Sequence, residues 1–85
     1  MKAIITKKKN SKFTGCLKFS FTGKLNSVIE SNGFIDIPIT PADPETINNI
    51  LEMEKESFYG TIVFELKEGV VTGYAYSKRL NYADM

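Results

Sequence analysis

Lys12-Phe13-Thr14-Gly15-Cys16-Leu17-Lys18-Phe19-Ser20-Phe21-Thr22 is the stretch that decides the fold class. Phe13, Leu17, Phe19 and Phe21 fall on odd positions. Lys12, Thr14, Cys16, Lys18, Ser20 and Thr22 fall on even ones. Alternation with period two over this length predicts a strand with one buried face and one wet face. The aromatic face is the expected core. Cys16 falls on the wet face with only Lys18 near it in sequence, so the thiol does not read as a nucleophile.

Upstream, Lys2 to Lys8 contains Ala3-Ile4-Ile5-Thr6 and reads as a short strand, with Lys9-Asn10-Ser11 as a turn. Downstream, residues 25–33 support two readings. Asn32-Gly33 is a hairpin signal that pairs Val28 with Ile37 and Glu30 with Ile35. Leu25, Val28 and Ile29 also have helical spacing, with Gly33 as a terminator. The strand reading, Ser27 to Ser31, is preferred. Residues 34–39 read as a further strand, and Pro38 suits its edge or end.

Thr40-Pro41-Ala42-Asp43-Pro44-Glu45 opens a helix expected over about residues 44–57. Asp43 is the N-cap, Pro44 the first helical residue, and Glu45 sits at the positive end of the helix dipole. Ile47, Ile50, Leu51 and Phe58 form its apolar stripe. Thr61–Lys67 and Val70–Tyr76 flank Glu68-Gly69 as a hairpin with a two-residue loop. That register pairs Leu66 with Val71, Phe64 with Gly73 and Ile62 with Ala75. It turns Tyr74 and Tyr76 outward with Val63 and Val70. Residues 77–85 read as a loosely held C-terminal tail.

The expected architecture is a single α+β domain over residues 1–85. A small antiparallel sheet of four to five strands carries one helix on one face, in the order β-β-(β)-β-α-β-β. With 85 residues, of which 42% are hydrophobic and 25% charged, the chain has the composition of one globular domain. No apolar run approaches about 18 residues, and the N-terminal residues lack a signal-peptide core, so neither a membrane span nor a leader is expected.

The residues that are absent narrow the chemistry. The sequence has no histidine and one cysteine. A Ser-His-Asp triad, an internal disulfide and a zinc-finger ligand set cannot be assembled from it. No glycine-rich phosphate loop occurs. Glu30 and Asp36 come close in the hairpin register, but on opposite faces, which counts against a catalytic carboxylate pair. A reducing, cytoplasmic setting, no enzyme activity, no cofactor and no metal are the resulting expectations.

Charge is unevenly laid out. Residues 1–24 carry seven lysines and no acid, whereas residues 25–69 carry nine acids and two lysines. Lys7, Lys8, Lys9, Lys12, Lys18 and Lys24 are therefore candidate phosphate contacts. Against this, Lys12, Lys18 and Lys24 are expected on the face opposite Phe13, Phe19 and Phe21. Sheets that bind single strands put aromatic and basic residues on one face.

The other candidate surface is the outward pair Tyr74 and Tyr76 with Val63, together with the acidic helix positions Glu52 and Glu56. The first functional expectation is a small binding module that acts on a protein partner. Its size and lack of catalytic residues are those of accessory or inhibitor proteins of phages and mobile elements. The alternative is a nucleic-acid binder using the N-terminal lysines. A homodimer through an uncovered sheet face or edge is a third reading.

Overall fold

The alternation in residues 15–22 builds the centre of the molecule. The computed structural model describes residues 1–32, 38–52 and 58–78. Strand β1 (Gly15–Thr22) buries Leu17, Phe19 and Phe21 on one side, as their odd positions require. Strand β4 (Tyr59–Lys67) runs antiparallel beside it and sets Phe64 opposite Leu17 and Ile62 opposite Phe19. The rings of Phe19 and Phe64 meet edge to face at 5.8 Å.

Strand β2 (Leu25–Ser31) lines the outer side of β1, and β5 (Val70–Lys78) lines β4. A two-residue strand, β3 (Thr40–Pro41), pairs with β5. The result is a five-stranded antiparallel sheet in the order β2-β1-β4-β5-β3. The strand reading of Ser27 to Ser31 therefore holds, with β1 as partner and the strand beginning earlier, at Leu25. The expected pairing of Val28 with Ile37 and Glu30 with Ile35 rests on residues outside the described ones, as does most of the expected strand at 34–39.

Helix α2 (Pro44–Leu51) starts as its sequence dictates. The Asp43 carboxylate accepts a hydrogen bond from the Thr46 backbone N–H at 2.8 Å, and Pro44 occupies the first turn. Ile47 and Ile50 are buried. The expected continuation to residue 57 falls largely outside the described residues.

The N-terminal segment differs from its reading. Residues 2–8 form no strand; Lys2–Asn10 is a helix, α1, so the element order is α-β-β-β-α-β-β. Met1 and Ile5 are one turn apart and both buried, with Ile4 packed beside them. Paired isoleucines favour a strand by propensity alone, but burial of this one helical face decides the segment. Lys7, Lys8 and Lys9 sit in the last turn, where cations offset the negative end of the helix dipole.

Both helices contribute to one core cluster. Met1 and Ile5 of α1 and Ile47 and Ile50 of α2 join Leu17, Phe19, Phe21, Ile62, Phe64 and Leu66. The two helices therefore cover the same face of the sheet. Among the described residues, neither packs on the other face.

The hairpin between β4 and β5 has the expected two-residue turn, and both Glu68 and Gly69 have positive φ, 49° and 81°. That is the signature of a type I′ turn, whose twist matches that of the strands it joins. Beyond the turn the register departs from the simple one. Leu66 faces Val71, but Glu65 faces Gly73, which leaves Thr72 as a β-bulge. At the bulge the Thr72 hydroxyl donates to Glu65 Oε1 at 2.7 Å, and the Thr72 carbonyl accepts from the Ala42 N–H at 3.4 Å.

One extra residue moves every later side chain to the other face. Phe64 now faces Tyr74 and Ile62 faces Tyr76, so both tyrosines turn to the helix side. Gly73 and Ala75, expected on the side of Phe64 and Ile62, lie on the opposite side. Gly73 serves another purpose there: a Cβ on it would stand 2.7 Å from the Thr40 carbonyl oxygen, so its bare backbone admits β3. Strand β5 also runs through Ser77 and Lys78, the first residues of the expected tail.

Candidate functional site

Burial of one face of α1 leaves the other to solvent. Lys2, Ala3, Thr6, Lys7, Lys9 and Asn10 are exposed, followed by Ser11 and Lys12. A helix places residues three and four apart on one surface, so Lys2, Thr6 and Lys9 form one column and Ala3, Lys7 and Asn10 the next.

The exit of α1 fixes where its last lysines stand. Lys12 adopts positive φ, 55°. Its N–H donates to the Lys9 carbonyl and the Phe13 N–H to the Lys8 carbonyl, each at 3.1 Å. These two bonds form the Schellman helix end, with lysine at the position usually taken by glycine. The chain then locks onto the β4–β5 turn. The Gly69 N–H donates to the Phe13 carbonyl, and the Glu68 N–H to the Thr14 hydroxyl, both at 2.9 Å.

Lys8 is spent within the molecule. Its Nζ donates to Glu30 Oε2 of β2 at 2.6 Å and lies 5.1 Å from the centre of the Phe13 ring. Lys18 lies on the opposite sheet face, partly buried and across from Ile29 and Val63. Lys24 is exposed between β1 and β2, about 25 Å from the α1 exit if measured along the extended strand. The structure thus leaves Lys2, Lys7, Lys9 and Lys12 exposed on α1 and just beyond its end. Lys8 is paired, and Lys18 and Lys24 are separated from the group.

The tyrosine-centred patch does not assemble as read from the sequence. Tyr74 packs against the core, and Tyr76, 42% exposed, stacks on Phe58 at 5.5 Å. Val63 is on the other sheet face and only 2% exposed. Glu52 is exposed at the end of α2, and Glu56 lies outside the described residues.

Cys16, expected on a wet face, is 4% exposed. Burial pushes the thiol pKa up, and the Glu65 carboxylate opposite it on β4 adds to the rise. This is the reverse of what activates a thiolate. A cavity of about 160 Å³ beside it has Cys16, Gly15, Leu66 and Glu65 among its lining residues.

A groove of about 260 Å³ runs between Lys9, the turn residue Gly69, Val70 of β5, and Ile47 and Asn48 of α2. Among the described residues, no three His, Cys, Asp or Glu side chains group as a metal site, and no helix is long and apolar enough to cross a membrane.

Sequence reasoning missed Ile29, 54% exposed on the sheet-edge strand β2. No alternation in Val28-Ile29 singled it out, because its exposure depends on where β2 lies in the sheet. No protein-family model matches this chain, and neither does any curated protein or solved structure.

Proposed function

We propose that this chain is a small binding module that docks through α1 onto a polyanion, specifically the phosphate backbone of nucleic acid. The observation that carries the reading is the outward face of α1. It presents Lys2, Lys7 and Lys9, continued by Lys12, in a segment of 24 residues that contains no acid.

The magnitudes favour attraction. The helix C-terminus carries about half a negative charge. Lys7, Lys9 and Lys12 outweigh it, while Lys8 is balanced by Glu30. Thr6, Asn10 and Ser11 stand among these lysines and are of the types that hydrogen-bond phosphate oxygens. Among the described residues, no aromatic side chain lies on this outward face, since Phe13 is partly buried beneath Lys8. Binding without stacking reads charge rather than bases, so little sequence preference is expected.

A protein partner is the second reading. It draws on the groove beside the exposed Val70, rather than on Tyr74, Tyr76 and Val63, which do not share a surface.

Fluorescence anisotropy of labelled duplex and single-stranded oligonucleotides, titrated over a range of salt, tests the first reading. Three or four phosphate contacts predict a slope of log affinity against log salt of about −3 on duplex. Replacing Lys7, Lys9 and Lys12 together by Ala should abolish binding, whereas Lys24→Ala should leave it unchanged. Absence of binding at low salt would overturn the reading and favour the protein partner.

A further inference from the structure

The lysines of α1 are not spread evenly over its outward face. Successive residues of a helix are rotated by about 100°. On that spacing the buried or partly buried Ile4, Ile5 and Lys8 fall within one arc of about 100°, and the six exposed residues of the helix within the opposite arc of about 160°.

Within the exposed arc the lysines stand at its two margins. Lys2 and Lys9 lie on one margin and Lys7 on the other, about 140–160° apart around the axis. Thr6 and Asn10 occupy the centre, with Ala3 beside them, so the middle of the face carries neither charge nor bulk. The frame beneath is fixed. Lys12 and Phe13 close the last carbonyls of the helix, and Lys8 ties its inner side to Glu30. The two margins therefore keep their separation before anything binds.

We propose that α1 lies in the major groove of duplex DNA, with its two lysine margins on phosphates of opposite strands. The proposal rests on the phosphate-binding role of α1 and adds the class of nucleic acid. The dimensions agree. The groove is about 12 Å wide and 8.5 Å deep, and a helix with its side chains is about 10–12 Å across. Nearly half of the α1 cylinder is exposed, so about 5 Å of it is free to enter. The small residues at the centre of the face let it approach the floor of the groove, while the flanking lysines reach the phosphate walls.

The same geometry disfavours other nucleic acids. A single strand offers one row of phosphates, which meets one margin at a time. The major groove of an RNA duplex is too narrow for side chains to read, and a helix does not enter it.

Anisotropy titrations of one labelled sequence as duplex DNA, single-stranded DNA and duplex RNA test the proposal. Duplex DNA should bind at least about tenfold more tightly than either of the others, with a salt slope of about −3 against about −1 to −2 for the single strand. Thr6→Trp places a large ring at the centre of the face, and because Thr6 is exposed the core is untouched. It should weaken binding of duplex DNA at least about tenfold and strengthen that of the single strand, by giving a base a stacking partner. Its circular dichroism should remain that of the parent. Equal affinity for either of the other two forms overturns the proposal and leaves α1 as a phosphate-binding helix. So does a Thr6→Trp variant whose binding of duplex and single strand changes alike. Absence of binding by the parent overturns both.

Discussion

The backbone N–H of Gly69 donates to the carbonyl of Phe13 at 2.9 Å, joining the β4–β5 turn to the exit of α1. The two residues lie far apart in sequence, yet this contact positions the end of the basic helix. Gly69 has φ of 81°, and a Cβ on it would stand 2.5 Å from the Lys9 carbonyl oxygen. Gly69→Ala should therefore cost about 2–3 kcal/mol, through strain at positive φ and a clash with backbone. Urea denaturation measures it. A loss no larger than that of an ordinary surface substitution would show that the turn does not seat against α1.

Lys12 carries the same conformational strain on a side chain that needs none of it for the fold. Its φ of 55° closes the Schellman end of α1. Lys12→Gly should stabilise the protein by about 0.5–1 kcal/mol, since glycine adopts this conformation freely. It also removes one cation. The salt slope of oligonucleotide binding should fall by about one while the melting temperature rises. A substitution that only lowers affinity through lost folding would move both readouts down.

Tyr74 tests the bulge at Thr72. The simple hairpin register makes this side chain a surface residue that truncates without cost. The observed register packs it against the core, opposite Phe64. Tyr74→Ala should cost about 2–3 kcal/mol in chemical denaturation. A neutral substitution would restore the unbulged register.

Asp43 makes stability depend on pH at the acid end. The Thr46 N–H bonded to its carboxylate lowers its pKa in the folded state. Its contribution is thus fully present above the ordinary aspartate value, near about 4, and is lost as pH falls through the lowered folded value. Asp43→Ala should lower stability at neutral pH and remove this part of the acid dependence. Melting curves recorded between neutral and strongly acidic pH read both effects.

What the sequence determined by itself was local. The alternation of Leu17, Phe19 and Phe21 sets the core face of β1, because strand side chains alternate wherever the strand sits. Asp43-Pro44 starts α2 because cap and dihedral preference act within one turn. Glu68-Gly69 makes the hairpin turn because its two positions need positive φ. The cluster of lysines was equally plain, though not which of them stand together.

Tertiary structure decided the rest. Ile4 and Ile5 carry no periodicity strong enough to separate strand from helix, and burial of Met1 with Ile5 settles α1. Lys8 leaves the candidate site because Glu30 of β2 lies within reach. The phase of β5 turns on the Thr72 bulge, whose bonds come from Glu65 on β4 and Ala42 ahead of α2. Residues 70–76 read in the unbulged phase, and nothing local marks the inserted residue, since a side chain's face depends on its partner strand. That choice moved Tyr74 and Tyr76 away from Val63, and it could be made only where distant segments meet.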